Sequence, residues 1–152
     1  PPALLEREIK RFPAWLIWNA LILPRLEIYK SEVVALGDGH FRVRVTVHNT
    51  GWLPTYITKI AVHKKLVQGV IAELELAAGM RLIAGDMRQE KTQLEGRAQH
   101  PRSPFGWGGV QHEPSEDRVG FEWVVSAPRG GTLRVCTRHA RAGTAHADLM
   151  LQ

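Results

Sequence analysis

The sequence predicts an all-β protein, an immunoglobulin-like sandwich of two antiparallel sheets with a short helical connector at its N-terminus. Three observations support this fold class. Short stretches of alternating apolar and polar residues recur roughly every ten residues, turn residues separate them, and helical patterns do not lie between them. Because parallel strands need long crossover connections, this arrangement favours antiparallel strands stacked in two layers.

The clearest strand runs from Phe41 to His48. Its two faces differ in character: Phe41, Val43, Val45 and Val47 alternate with Arg42, Arg44, Thr46 and His48. Such alternation is typical of a strand with one buried face. Asn49, Gly51 and Pro54 predict a tight turn after it, because Asn and Gly accept positive φ and Pro donates no ladder hydrogen bond. The chain is then expected to form a strand from Tyr56 to Val62.

The same alternation predicts the other strands. They are Leu26 to Leu36, Val70 to Leu76, Met80 to Ala84, Lys91 to Gly96, Phe121 to Val125, Leu133 to Thr137 and Ala145 to Leu151. The alternation slips near Lys30 to Glu32, which predicts a bulge in the first of these strands. Gly37, Asp38 and Gly39 predict a tight connection, so this strand and the Phe41 strand should form a hairpin.

Residues 1–24 are predicted to form a helical connector, and residues 25–152 the sandwich domain. Apolar spacing predicts a helix from Ala3 to Phe12, and Pro13 favours the start of a second helix from Ala14 to Ala20. The second helix carries Trp15 and Trp18. These rings are expected either to close one end of the sandwich or to pack against a preceding domain, which would leave an apolar patch in the isolated chain.

Composition narrows the classes of partner. The net charge of +5 permits an anionic partner, but the basic residues are scattered, so we expect no nucleic-acid binding. The apolar stretch from Ala14 to Leu23 is about half the length of a membrane span. The chain opens on Pro1 without a Met or a signal-peptide pattern, so we expect a piece of a longer protein. The compartment stays open.

The residues that carry catalysis or bind metals form no recognisable set. The chain has seven histidines but no His-x-x-Glu pair, and His112 with Glu113 and Glu116 is the nearest local cluster, in a loop rich in proline. Cys136 and His139 should point to opposite faces of one strand, so they form no nucleophile and base pair. We therefore expect no catalytic residue, no metal ligand and no cofactor in this chain.

A long loop without periodicity runs from Arg97 to Asp117. It carries Phe105 and Trp107 among several glycines and prolines. Loops of this length are uncommon unless they bind or dock something, and the two rings could stack on sugars, on bases or on a neighbouring domain. The alternative is that Phe105 and Trp107 fold back and cap the core.

Several segments resemble the region that follows the catalytic domain in bacterial zinc carboxypeptidases of the carboxypeptidase A superfamily. The resemblance covers nearly the whole chain. Its runs are LPRLEI at 23–28, VTVHNTGWLPTY at 45–56, QLEGR at 93–97, FEWVV at 121–125 and GGTLRV at 130–135. These motifs are strands and turns, and none of them is a catalytic signature.

The resemblance implies a parent enzyme that removes C-terminal residues from peptides, with one zinc held by a His-x-x-Glu pair and a distant His, and a glutamate as general base. None of these residues can be placed on this chain, so the zinc and the active site are expected upstream of Pro1. The fragment would be a noncatalytic accessory domain that stabilises, positions or targets its catalytic domain. The alternative function is an independent module that binds carbohydrate, cell wall or peptide through the loop from Phe105 to Trp107.

Overall fold

The computed structural model of the protein describes residues 2–10, 12–97, 116–128 and 130–152. Within these residues the helices are α1 (Pro2–Ile9), α2 (Phe12–Leu21) and α3 (Lys59–His63). The strands are β1 (Leu26–Gly37), β2 (His40–Asn49), β3 (Ile71–Glu75), β4 (Arg81–Ala84), β5 (Arg88–Glu90), β6 (Arg118–Ser126), β7 (Thr132–His139) and β8 (Gly143–Met150).

The strands form two antiparallel sheets of four strands, in the orders β1-β2-β6-β4 and β5-β3-β7-β8. This arrangement confirms the predicted sandwich. The first sheet and the β3-β7-β8 part of the second have the strand order of a constant-type immunoglobulin domain, to which β5 adds an edge strand. The two helices of the predicted connector precede β1.

Strand β2 lies at the centre of the first sheet, and its predicted alternation is confirmed. Val43 lies opposite Trp123 of β6 and Val45 lies opposite Phe121, and all four side chains are buried. Burial of a Val or Phe side chain contributes about 1.5–3 kcal/mol, so this face is a large part of the stabilising core. The Trp123 ring also donates its Nε1–H to the Asp86 carbonyl at 2.8 Å, which satisfies its polar atom.

The first hairpin has the predicted bulge and turn. The register with β2 skips Tyr29, so the bulge lies one residue before the predicted stretch. The connection has positive φ at Gly37, Asp38 and Gly39, at 97°, 51° and 72°. Glycine adopts this conformation without steric cost, and Asp tolerates it better than most residues, which explains why this sequence turns here.

Two of the predicted strands are wrong. Tyr56 to Val62 begins as an irregular segment and continues into α3, because the Thr58 hydroxyl accepts a hydrogen bond from Ala61 N at 3.2 Å and starts a helix. Lys91 to Gly96 is also not a strand, and β5 ends just before it. The backbone of Leu94 is held by Thr55, whose N–H donates to Leu94 O at 2.9 Å and whose Oγ1 accepts from Leu94 N at 2.9 Å.

Side chains protect part of the β6 edge. Strand β4 pairs with only the last residues of β6. On the same edge, the carbonyls nearer the start of β6 therefore lie beyond the end of β4. Gln89 Nε2 donates to Glu122 O at 3.0 Å, and Lys91 Nζ donates to Gly120 O at 2.6 Å. Exposed edges recruit other strands, and these two bonds reduce that hazard.

Candidate functional site

Asn49 holds the N-terminal end of the sandwich together. Its Oδ1 accepts hydrogen bonds from Arg25 N at 2.9 Å and Gly51 N at 3.0 Å, and its Nδ2 donates to Leu53 O at 2.8 Å and Glu95 O at 3.1 Å. The residue is 1% exposed, and both sides of its amide are fully used. We call Asn49 and these four backbone groups the Asn49 clamp. It joins the start of β1, the turn after β2 and the segment before the long loop.

Gly51 is a turn residue as predicted, but the expected reason is wrong. Its φ is not positive, and neither is that of Asn49, the last residue of β2. A Cβ atom at this position would lie 2.1 Å from the carbonyl oxygen of Leu23 and 2.6 Å from the Cα of Pro24, so only glycine allows the connector to pass this closely. Pro54 lies between two bonded amides, since Leu53 N donates to Ile22 O at 3.0 Å and Thr55 N donates to Leu94 O at 2.9 Å.

The second helix of the connector is exposed. None of the described residues of α2 is buried, and Trp15 and Trp18 are each 57% exposed. The expectation that these rings close one end of the sandwich is therefore wrong, and the structure shows the apolar patch of the other alternative. We call the exposed large apolar side chains of this helix the connector surface: Phe12, Trp15, Leu16, Ile17, Trp18 and Leu21. The sequence has no charged residue from Phe12 to Pro24.

The connector surface is joined to the sandwich by continuous hydrogen bonding. Ile22 N donates to Trp18 O at 3.3 Å and Leu23 N donates to Ala20 O at 3.4 Å, so helical bonding extends to the residues that touch the clamp. Ile22 O accepts from Leu53 N, and Pro24 is buried. Within the described parts of the chain, no helix has the length and apolar character that crossing a bilayer requires.

The aromatic loop cannot be compared with its prediction. Phe105 and Trp107 lie outside the described residues, as do His112 and Glu113. Their proposed roles in binding, or in capping the core, stay predictions.

Cys136 is not arranged as a nucleophile. It lies on the outer face of β7 and His139 is buried on the inner face, as predicted. Its cross-strand neighbours are Glu73 and His146. Burial, followed by the nearby Glu73 carboxylate, raises the pKa of the Cys136 thiol, whereas a nucleophilic thiolate needs a lowered one. Among residues 2–10, 12–97, 116–128 and 130–152, no group of three or more His, Cys, Asp or Glu side chains could hold a metal ion.

His139 is a neutral structural residue. Its Nδ1 accepts a hydrogen bond from Arg141 N at 3.1 Å, which places the proton on Nε2. That Nε2 lies 3.1 Å from Gln68 O and 3.0 Å from Gln93 Oε1, two acceptors. Burial lowers the pKa of His139 below its ordinary value, so the imidazole joins the end of β7 to the chain just before β3 without carrying charge.

A second exposed surface, which the sequence reasoning missed, surrounds α3. We call it the α3 surface: Ile57, Lys59, Ile60, Lys64, Lys65 and Leu66, all exposed. It lies at the same end as the Asn49 clamp, because Tyr56 Oη donates to Glu95 Oε1 at 2.6 Å and Glu95 O belongs to the clamp. The available signal was charge: no Asp or Glu occurs from Gly39 to Ala72.

A shallow groove of about 450 Å³ lies beside the start of β6 and is lined by polar side chains. Two of its lining residues have a buried atom that makes no hydrogen bond to the described part of the chain, Oε2 of Glu95 and Nε of Arg118. These atoms are closed to solvent, so a ligand in the groove would not reach them. The Arg118 guanidinium instead stacks over the Tyr29 ring at 3.9 Å and lies 3.7 Å from Asp117 Oδ1.

Comparison with known proteins gives a family but no activity. A family model described as a domain of unknown function, DUF8731, matches residues 25–150, which span every strand from β1 to β8. No curated protein sequence matches the chain significantly.

Proposed function

The chain belongs to the domain family of unknown function DUF8731, and for this member we propose the role of a noncatalytic accessory domain that docks on a catalytic domain through its connector surface. The sequence resemblance to the region after the catalytic domain of zinc carboxypeptidases suggests the identity of that partner. The parent enzyme would remove C-terminal residues from peptides, and its zinc would be bound in the catalytic domain.

The observation that carries the proposal is the exposure of two tryptophans on a helix without charge. A Trp side chain buries 150–250 Å² in a good interface, and tryptophan is enriched among the residues that dominate binding energy. With each ring more than half exposed, covering Trp15 and Trp18 would contribute on the order of 2–4 kcal/mol each. A charge-free helix face of this kind resembles the core of a permanent interface.

The Asn49 clamp supports the same role. Clamp bonds reach Arg25 and Leu53, and Leu53 in turn bonds Ile22 at the end of the connector. The connector therefore leaves the sandwich in a defined direction, which an accessory domain needs if it is to position a neighbour. The noncatalytic part of the proposal is supported by the state of the reactive groups, since the pKa of the Cys136 thiol is raised and the His139 ring nitrogens are both engaged.

The proposal is tested in the polypeptide that carries this chain. We expect the whole polypeptide to bind one zinc and to remove C-terminal residues from peptides, and residues 1–152 alone to do neither. Trp15→Ser with Trp18→Ser should separate the two domains, seen as faster proteolysis within residues 1–24 and as two unfolding transitions instead of one. The control is Leu36→Ser with Ile83→Ser, two residues that are each 53% exposed on the sandwich.

Three results would contradict the proposal. The first is a carrying polypeptide without peptidase activity. The second is equal behaviour of the tryptophan variant and the control. The third is chelator-sensitive peptide hydrolysis by residues 1–152 alone, which would show that the machinery lies inside this chain.

A further inference from the structure

The α3 surface combines three strongly exposed aliphatic side chains with lysines. Ile57, Ile60 and Leu66 are 72%, 67% and 73% exposed. Lys59, Lys64 and Lys65 lie between them in the sequence and are exposed too. Single exposed apolar residues are common on protein surfaces, but three within ten residues, interleaved with cations, form a patch.

The charge of this region has one sign. The ten residues from Ile57 to Leu66 contain three lysines and no Asp or Glu, although the chain as a whole has fifteen acidic residues. His63 adds a further basic group on α3. An anionic partner would therefore meet no repelling carboxylate on this stretch, and the natural complement of the α3 surface is a negatively charged one.

The surface is held in place before any partner arrives. Its N-terminal side is fixed by the Thr58 cap on Ala61 N, and its C-terminal side by Gln93 Nε2, which donates to Gln68 O at 2.6 Å. Between them, Lys65 adopts a positive φ of 53° and Leu66 N donates to Ala61 O at 2.9 Å, which directs the chain back after α3. A patch fixed in this way loses little conformational freedom on binding.

We propose that the α3 surface is a docking site for an anionic phospholipid surface. In this arrangement Ile57, Ile60 and Leu66 enter the boundary between headgroups and acyl chains, and the lysines pair with lipid phosphates. This binding is peripheral and is independent of the connector surface.

The composition of the surface favours lipid over protein. Interfaces between proteins are enriched in Trp, Tyr and Arg and depleted in Lys. The α3 surface has the opposite content, because its exposed groups are aliphatic side chains and lysines. Aliphatic groups beside lysines are the combination that binds an anionic bilayer, where apolar burial and attraction to charged headgroups act together.

The proposal is tested by sedimentation of residues 1–152 with vesicles. Two kinds of vesicle serve as probes. One contains phosphatidylcholine with roughly 30 mol% of the anionic lipid phosphatidylglycerol, and the other contains phosphatidylcholine alone. We expect binding to the anionic vesicles only, weakened by raising the salt concentration. Lys64→Glu with Lys65→Glu should lower the partition coefficient by at least about thirtyfold. Each lysine adds to the free energy of binding at an anionic surface, and each glutamate in its place is repelled. Ile60→Ser with Leu66→Ser should weaken binding at any salt concentration.

Matched controls separate this surface from general charge and from the connector. Arg42→Glu with Arg81→Glu changes the net charge equally at exposed positions away from α3, and Trp15→Ser with Trp18→Ser removes the aromatic rings of α2. Both should bind vesicles like the original chain. Circular dichroism confirms that each variant is folded.

Several results would overturn the proposal. These are a chain that binds neither kind of vesicle, a charge control as weak as the α3 variant, and loss of binding in the tryptophan variant alone. Binding to poly-L-glutamate with the same dependence on Lys64 and Lys65, in the absence of vesicle binding, would assign the surface to an acidic protein instead.

Discussion

Helix α2 and the segment around α3 both expose large apolar side chains at the same end of the molecule, yet their surroundings differ. Trp15 and Trp18 belong to a stretch without charge, whereas Ile60 and Leu66 are interleaved with Lys64 and Lys65. Each region exposes at least three large apolar side chains, so exposure alone does not distinguish them. The neighbouring charges do, and they favour a protein partner for α2 and an anionic surface for α3.

The two regions are also fastened to the sandwich by different bonds. The connector depends on the Asn49 clamp and on the close approach of Gly51 to Leu23. The α3 segment depends on Tyr56 and Gln68, which are bonded to Glu95 and to the buried His139. A change at Asn49 should therefore act on both regions. A change at Gly51 should act mainly on the connector, and a change at His139 mainly on the α3 segment.

Asn49→Ala should have the largest effect, because Asn49 lies at the shared base. The change leaves the N–H groups of Arg25 and Gly51 and the carbonyls of Leu53 and Glu95 without their buried partner. We expect the free energy of unfolding to fall by about 3–5 kcal/mol, measured by urea denaturation, because several buried backbone groups lose their partner at once. Asn19→Ala is the control. Among the described residues the Asn19 amide donates to Trp15 O alone, at an exposed position, so its loss should cost less than about 0.5 kcal/mol. Equal losses in the two variants would refute the clamp.

Gly51→Ala should lower the free energy of unfolding by less than Asn49→Ala does, and it should disturb the connector first. The new Cβ would overlap Leu23 O, so the backbone must move, at an expected cost of about 2–3 kcal/mol. Gly120→Ala is the matched control, because its Cβ would come no closer than 3.7 Å to Thr46 Oγ1. Hydrogen exchange at the Leu53 amide, which bonds Ile22 O, should accelerate in the first variant only. An unchanged melting temperature for Gly51→Ala would show that the close approach is not required.

Mild acid should lower the free energy of unfolding by less than either substitution does, and it should act mainly on the α3 segment. Burial lowers the pKa of His139 below the ordinary value of 6.5, so the unfolded chain takes up a proton before the folded one does. The stability that the neutral imidazole contributes is complete above pH 6.5 and is lost as the pH falls from there through the lowered pKa. The pKa of His48 is lowered too, by burial and then by Arg118, and its contribution has the same sign.

His139→Gln tests this assignment. It should flatten the fall in unfolding free energy between about pH 7 and pH 5.5, measured by urea denaturation at each pH. As the pH falls, the hydrogen-exchange rate of the original chain, corrected for intrinsic rates, should rise at the Leu66 amide before it rises at the Leu23 amide. The reverse order would show that His139 does not secure the α3 segment.

The fold was predictable because its evidence is local. The alternation in β2 and the glycines of the first hairpin show in neighbouring letters of the sequence which face is buried and where the chain turns. The strand predicted from Tyr56 to Val62 failed because the Thr58 cap outweighs alternation over a short span. The strand predicted from Lys91 to Gly96 failed because Thr55, distant in sequence, holds Leu94.

The candidate surfaces were predictable to different extents. Trp15 and Trp18 were found from their apolar setting, but whether they lie inside or outside depends on packing that the sequence does not show. The α3 surface was missed because Ile60 was expected to lie within a strand from Tyr56 to Val62. Gly51 was correctly identified as a turn residue for the wrong reason, since the carbonyl that excludes a side chain there belongs to Leu23, on another segment.

The hydrogen bonding that runs from Ala20 through Leu23 to the Asn49 clamp continues from the helix into the sandwich. A partner bound to α2 would consequently be linked to the sandwich through this hydrogen-bonded segment. Binding of an anionic bilayer through the α3 lysines would then also set how that partner is oriented relative to the membrane.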